Sequence, residues 1–277
     1  MTRFRVVATD LDGTLLDGQR RISNRTLEGL RFAVDAGARV VIVTARPPRY
    51  IDALADAYGL SGTAVCSNGA VVYDIVSRAV VASRTLSSES ARRVAGALLR
   101  SVPDVGFALE TGHKVLYAPE FGMRHAEDAR AESAVACSDE LWLAKEPIVK
   151  LLAWSPSEDA DAMRAVADKT VGPLCSVTHS GGAGLLEIGA PGVTKAATLS
   201  ELCNGWDVDA AAVVAFGDMP NDLSMLSWAG AGYAMANAHP QVLATVSRHT
   251  GSNEDDGVAA VLEQLFAEHG RTGLAPF

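Results

Sequence analysis

Short apolar runs alternate with amphipathic stretches at both ends of the chain. Residues 4–9 (FRVVAT) form a β-branched run that stops at acidic residues and Gly13, which predicts a buried strand ending in a loop. Ser23 then caps a predicted helix in which Leu27, Leu30 and Val34 recur at helical spacing, with Gly37 as its stop. Residues 40–43 predict a second buried strand; Pro47 and Pro48 suit the first turn of the next helix, which Gly59 ends. Strand, helix, strand, helix at this spacing predicts a parallel sheet with crossover connections. The C-terminal part repeats the pattern with a helix over 194–203, a strand over 211–216 and helices over 221–228 and 258–266.

The middle of the chain reads differently. Strands are predicted at 105–109, 114–118, 148–154, 174–179 and 184–188, with helices at 89–99 and 159–167 among them. This predicts an α+β insertion around 80–188 within a split α/β domain. The tail 270–277 is expected to fray. No internal repeat or low-complexity segment interrupts this organisation.

Composition narrows the class. With 277 residues, 48% hydrophobic and 21% charged, the chain is neither disordered, coiled coil nor collagen-like. Its net charge of −9 argues against a nucleic-acid groove or an anionic membrane surface as the main partner, while leaving room for a small anionic substrate beside a local cation. Cys66, Cys137, Cys175 and Cys203 show no paired metal spacing and read as reduced, buried thiols. The first apolar run is cut by Asp10 too early for a signal peptide, and no stretch has the length of a membrane span, so a cytoplasmic protein is expected.

The most informative segment is Asp10-Leu11-Asp12-Gly13-Thr14, directly after the first strand. Parallel sheets bind ligands beyond the carboxyl ends of their strands, and two acids placed there are costly unless paired or coordinated. A plain acidic turn is the bland alternative. An EF-hand loop fails, because Leu15 stands where its glycine would be and Arg21 where its final glutamate would be. Gly217-Asp218-Met219-Pro220-Asn221-Asp222 is a second acidic junction after a buried strand. Capping accounts for one aspartate there but not for both, and two such junctions could converge on a hard cation with oxygen ligands, as Mg2+ requires. Thr44-Ala45-Arg46 after the second strand, with Lys195 near a helix start, offers a hydroxyl, helix amides and an ammonium for a phosphate. Ser67-Asn68-Gly69-Ala70 is a hairpin signal first. Gly181-Gly182-Ala183-Gly184 lacks the third glycine and the following helix of a dinucleotide fingerprint.

Taken in order, Asp10-Leu-Asp-Gly-Thr, Thr44 after Val-Ile-Val, Lys195, and Gly-Asp-x-x-Asn-Asp ending at Asp222 resemble the four motifs of the haloacid dehalogenase superfamily. More narrowly they are similar to its Cof-type, or IIB, sugar-phosphatase-like branch, which Asn68-Gly69-Ala70 and Glu187-Ile188 also match. Ala45 and Ala196 depart from glycines common in the branch and remove no reacting group. Only 30 residues separate Thr14 from Thr44, whereas 151 separate Thr44 from Lys195, so the insertion falls in the second interval. The resemblance implies a split Rossmann-like core over 1–80 and 189–277, with a parallel sheet, and an α+β cap domain of C2 type over 81–188 that opens and closes over the site.

By the same resemblance, Asp10 is the nucleophile that takes the phosphoryl group, and Asp12 is the acid for the leaving alcohol and then the base for water. It also implies Mg2+ held by the Asp10 and Asp218 carboxylates and the Asp12 backbone carbonyl, and Thr44, Lys195 and Asn221 as phosphate ligands. Arg46, Asn68 and Asp222 take supporting places. The implied function is a Mg2+-dependent phosphatase for a small phosphorylated metabolite such as a sugar phosphate. The rivals are a phosphosugar mutase, which re-donates the phosphoryl group, and a non-catalytic phosphometabolite sensor, which has no use for Asp12. Polar residues of the insertion such as His113, Arg124, His125 and His179 read as surface or strand-end residues rather than ligands. Substrate identity and oligomeric state are not encoded in these motifs.

Overall fold

A computed structural model describes residues 3–122, 132–181 and 184–266. The first elements are β1 (Val6–Thr9), α1 (Asn24–Asp35), β2 (Arg39–Val43), α2 (Pro48–Tyr58), β3 (Thr63–Cys66), β4 (Val71–Asp74) and β5 (Ala79–Ser83). The middle supplies α3 (Ser88–Ser101), β6 (Gly106–Glu110), β7 (Val115–Tyr117), β8 (Glu132–Ala134), α4 (Ser138–Leu141), β9 (Lys150–Trp154), α5 (Ala160–Thr170), β10 (Ser176–Thr178) and β11 (Leu185–Gly189). The chain closes with α6 (Lys195–Gly205), β12 (Val213–Gly217), α7 (Leu223–Trp228), β13 (Ala231–Ala234), α8 (Pro240–Thr245), β14 (Arg248–His249) and α9 (Gly257–Phe266). These form two compact units, one of Met1–Arg46, Tyr50–Val81 and Thr194–Phe277, the other of Pro47–Arg49 and Ala82–Val193.

The first unit is α/β, with a sheet in the order β14-β13-β12-β1-β2-β3-β4-β5. From β14 to β3 the strands run parallel, and β4 turns back antiparallel to β3. Val6 faces Val213 on one side and Arg39 on the other, so β1 lies in the middle of the sheet. Both faces of β1 and β12 are covered, which is why their sequences are continuously apolar rather than alternating. Val6, Ala8, Val41, Val43 and Val213 pack with Leu199, Cys203, Met225 and Leu226 of α6 and α7. The Ser23 side chain accepts the Thr26 N–H at 3.0 Å and Thr194 accepts the Ala197 N–H at 3.0 Å, capping α1 and α6.

The second unit is α+β, with a sheet in the order β10-β11-β9-β6-β7-β8. Its strands pair antiparallel except β7 with β8. Val94 and Leu98 of α3 and Met163 and Ala167 of α5 pack on Phe107, Leu109, Leu151, Ala153, Leu186 and Ile188. Strand alternation sends Ala108, Tyr117, Leu152 and Trp154 into a separate cluster with Phe121.

Several boundaries differ from the sequence expectation. Residues 210–212 make a 3-10 turn, so β12 starts at Val213. A 3-10 turn at Pro220–Asp222 delays α7 to Leu223, and one at Gly172–Leu174 shortens β10. Strands β5, β8, β13 and β14 and helices α4 and α8 carry no sequence expectation. β5 is exposed along its whole length, with Val81 66% accessible, so no burial pattern marks it. Cys137 is exposed, against the expectation of four buried thiols, because it stands at the N-terminus of the short α4; Cys66, Cys175 and Cys203 are buried, and all four are free. The tail 270–277 and the residues Gly182 and Ala183 lie outside the described residues.

Candidate active site

Parallel pairing of β1 with β12 brings two acidic loops together at the carboxyl end of the sheet. Asp10 follows β1, its N–H bound to the Phe216 carbonyl at 3.1 Å, and Asp218 follows β12. Carboxylate oxygens of Asp10, Asp218 and Asp222 lie within 4.8 Å of one another. Lys195, at the first position of α6, is fully buried and donates to Asp10 Oδ1 at 2.7 Å and Asp222 Oδ1 at 2.6 Å. Asp222 Oδ2 accepts the Asp218 N–H at 3.1 Å and the Met219 N–H at 3.0 Å. Both Asp222 oxygens are therefore engaged in holding the Asp218 loop and the lysine.

Burial raises the Asp10 pKa well above the ordinary carboxylate range; Lys195 pulls it back, and the Asp222 and Asp218 charges raise it again. Asp218 is pushed up to about 7, by burial first and then by Asp222, against a hydrogen bond from Thr14 Oγ1 at 2.8 Å. Burial opposes the Lys195 charge, but Asp10 and Asp222 outweigh it and hold the ammonium protonated. Three buried carboxylates thus share one buried ammonium.

Gly13, with φ +75°, is required by the close approach of these loops: a Cβ there would sit 2.4 Å from Asp218 Oδ2. Gly13→Ala is expected to lower stability by about 1–3 kcal/mol by displacing the Asp218 carboxylate and straining the turn. Urea unfolding with and without Mg2+ checks this, and the ion should recover less stability in the variant than in the parent.

Asp12 points elsewhere. Its half-exposed carboxylate pairs with Arg46, whose Nε reaches Asp12 Oδ2 at 2.6 Å, and the guanidinium lies 5.0 Å from the Tyr50 ring centre. Thr44 is buried, and its Oγ1 accepts the Arg46 N–H at 3.1 Å, as a capping threonine would. β3 and β4 form the expected hairpin, but its turn is a tight 3-10 turn over Ser67–Gly69. Ser67, Asn68 and Gly69 all have left-handed φ, +53°, +57° and +103°. The Asn68 N–H binds the Thr44 carbonyl at 3.0 Å, and Asn221 Nδ2 donates to Asn68 Oδ1 at 3.1 Å.

The structure therefore gathers Asp10, Asp218, Asp222 and Lys195 into one cluster, joins Asp12 to Arg46, and joins Thr44, Asn68 and Asn221 through the hairpin turn. Sequence reading gave no role to Thr14 or Asn237. The Thr14 signal was its place at the end of the Asp-x-Asp-Gly-Thr segment. Asn237, which donates to the Gly13 carbonyl at 2.8 Å, had none. In the other unit His113 is exposed in the turn after β6, while His179 is buried at the end of β10, 3.1 Å from Asp161 Oδ1. Arg124 and His125 lie outside the described residues.

A parallel sheet with an acid-rich, lysine-bridged carboxyl end defines a protein of the α/β class. The model of the haloacid dehalogenase-like hydrolases matches residues 7–262, and the chain belongs to that family. It is 30% identical to the Bacillus subtilis 5-amino-6-(5-phospho-D-ribitylamino)uracil phosphatase YwtE, over 95% of this chain and 99% of the relative. It is 27% identical to the phosphoglycolate phosphatase of Methanoculleus marisnigri, over 95% and 97% of the two chains. Among solved structures, SMU.1108c from Streptococcus mutans superposes with a TM-score of 0.82 at 26% identity, over 95% of this chain and 99% of that one. The chain is a phosphatase, a phosphoric monoester hydrolase.

Proposed function

We propose that the chain hydrolyses small phosphorylated metabolites through a phosphoryl group carried on Asp10, with Mg2+ as its cofactor. The observation that carries this reading is the Lys195 ammonium bridging Asp10 and Asp222 in a buried carboxylate cluster. One ammonium does not balance three ionised carboxylates, and buried carboxylate oxygens are the donor set a hard divalent cation takes. The Asp10 and Asp218 carboxylates with the Asp12 backbone carbonyl would hold the ion. When bound, it supplies positive charge against the repulsion between a carboxylate and a phosphate dianion, roughly 8 kcal/mol at ~4 Å and an effective dielectric of about 20.

The remaining work falls to the chain's own groups. Asp10 attacks phosphorus, with Lys195 fixing the carboxylate and neutralising a transferring oxygen. Thr44 and Asn221 orient the phosphoryl group. Asp12 protonates the leaving alcohol and then takes a proton from the attacking water, which requires its carboxyl to turn away from Arg46. Asp222 fixes the Asp218 loop. The insertion over 81–188 serves as the cap that selects the substrate, and the protein works in the cytoplasm. Relatives named for an aminouracil ribityl phosphate and for phosphoglycolate leave the particular ester open.

Chelation is expected to abolish phosphate release from a panel of phosphorylated metabolites, and added Mg2+ to restore it; full activity in chelator would sink the assignment. A carboxyl whose pKa is higher folded than unfolded stabilises the fold below its unfolded value and loses that contribution as pH rises through the folded value. Asp218, ordinarily near 3.8 and here about 7, therefore predicts a melting temperature in chelator that falls between pH 5 and pH 8. Mg2+ should flatten or reverse the fall, because it binds the ionised form.

A further inference from the structure

Residues 10–23 join β1 to α1 and carry Asp10 and Asp12, yet beyond one bridge between Asp12 and Leu16 they form neither helix nor strand. Within them the Thr14 and Leu16 N–H groups both bind the Leu11 carbonyl, at 3.2 and 2.9 Å. The Gly13 and Leu16 carbonyls are held from the far end of the chain. Asn237 Nδ2 donates to Gly13 at 2.8 Å and Asn253 Nδ2 to Leu16 at 2.9 Å, while the Asn253 N–H donates to Asn237 Oδ1 at 3.0 Å. A carbonyl only accepts and a backbone N–H only donates, so the partners fix which way the Asn237 amide faces.

Strand direction brings the two asparagines to the site. β13 and β14 run parallel to β12, so Asn237 after β13 and Asn253 after β14 follow the same carboxyl ends as Asp10 and Asp218. Two residues beyond Asn237, the His239 N–H donates to the Asp218 carbonyl at 2.8 Å, so one short loop is tied to both acidic junctions. The Asn253 loop is closed on itself, its Ser252 carbonyl taking the Asp255 and Gly257 N–H groups at 3.1 and 2.9 Å. Asn237 therefore reaches the Gly13 turn from a fixed support.

It holds the peptide between two groups of the site. Asp12 precedes Gly13, and Thr14, which follows it, donates its hydroxyl to Asp218. A displacement of about 1 Å at such a place costs on the order of 10²-fold in rate. Asn237 itself is exposed, and a single exposed side chain adds little to global stability. We propose that Asn237, oriented by Asn253, is a positioning residue of the reaction: it sets the Gly13–Thr14 peptide so that Asp12 and Asp218 stay in reacting register with Asp10. This rests on the Asp10 reading above and adds to it a residue from outside the acidic loops.

The test uses two variants. Asn237→Asp keeps the shape and still accepts the Asn253 N–H, but sets a carboxylate oxygen against the Gly13 carbonyl; Asn237→Ala removes the donor without adding charge. With para-nitrophenyl phosphate and saturating Mg2+, kcat and kcat/KM are expected to fall together in both variants, each by at least about tenfold, with KM and the urea midpoint unaltered. A kcat within about threefold of the parent in Asn237→Ala overturns the proposal, and a loss in Asn237→Asp alone is then the effect of its charge. A loss confined to KM, or one that follows a lowered urea midpoint, overturns it equally, because it makes Asn237 a substrate contact or a structural tie. If the parent does not turn over the ester, or Asp10→Asn does so as fast as the parent, the Asp10 reading fails by itself. Calorimetric titration of parent and Asn237→Ala with Mg2+ alone then decides: binding weaker by about threefold or more in the variant supports Asn237 as setting the Asp218 loop, and equal binding, or none in either protein, overturns it.

Discussion

Asp10→Asn is expected to stop turnover of every phosphomonoester and to accumulate no phosphoenzyme, whereas Asp12→Asn should behave differently with different leaving groups. The two aspartates are alike in composition and stand two residues apart, but one is buried against Lys195 and the other faces Arg46 in a half-exposed place. An amide at position 10 has no nucleophilic oxygen. An amide at position 12 removes only the acid and base, so an aryl phosphate, whose leaving group needs little protonation, should still phosphorylate Asp10 while hydrolysis stalls. An alkyl phosphate should barely react. Rapid-quench mass spectrometry reads the result: phosphate on the Asp10→Asn protein, or equal inertness of both variants towards the aryl ester, would show the division of roles to be wrong.

Lys195→Met should cost both rate and stability. The side chain fills similar volume, but Asp10 and Asp222 then lose the cation that joins them, and removing one partner of a buried ion pair costs about 3–5 kcal/mol. In saturating Mg2+ the rate is expected to fall by about 10²–10³, the range for losing one charge-stabilising donor. The sign of the pH dependence separates this from a packing defect. Burial already holds the Asp10 pKa above its unfolded value, and losing the ammonium raises it further, so the variant should recover part of its deficit at pH 5 and show it fully at pH 8. Urea unfolding at the two pH values, in chelator, checks it; an equal deficit at both would assign the loss to packing.

The strands around the site were legible because burial on both faces writes them as unbroken apolar runs, as in Val6–Thr9 and Val213–Gly217. Helix starts were legible where a side chain does the capping, at Ser23 and Thr194. What could not be read follows from the same physics. β13 is Ala-Gly-Tyr-Ala, and a Cβ on Gly232 would lie 2.1 Å from the Leu226 carbonyl, so close backbone packing there demands small residues that carry no strand signal. For the site, acids at strand ends pointed to Asp10, Asp218 and Asp222. The engagement of Asp12 with Arg46 depends on how two loops meet, which residue spacing does not encode.

The central position of β1 bears on how the chain is made. Val6 needs Val213 on one flank, so more than two hundred residues must leave the ribosome before the edge of β1 can be paired. The intervening sheet of six strands draws only on consecutive chain between residues 106 and 189 and can order while that edge waits. Nascent β1 and β2 thus present an apolar strand pair with an open side during synthesis, a period in which annealing to another chain competes with folding. Truncation anywhere before Val213 should therefore yield an aggregating product.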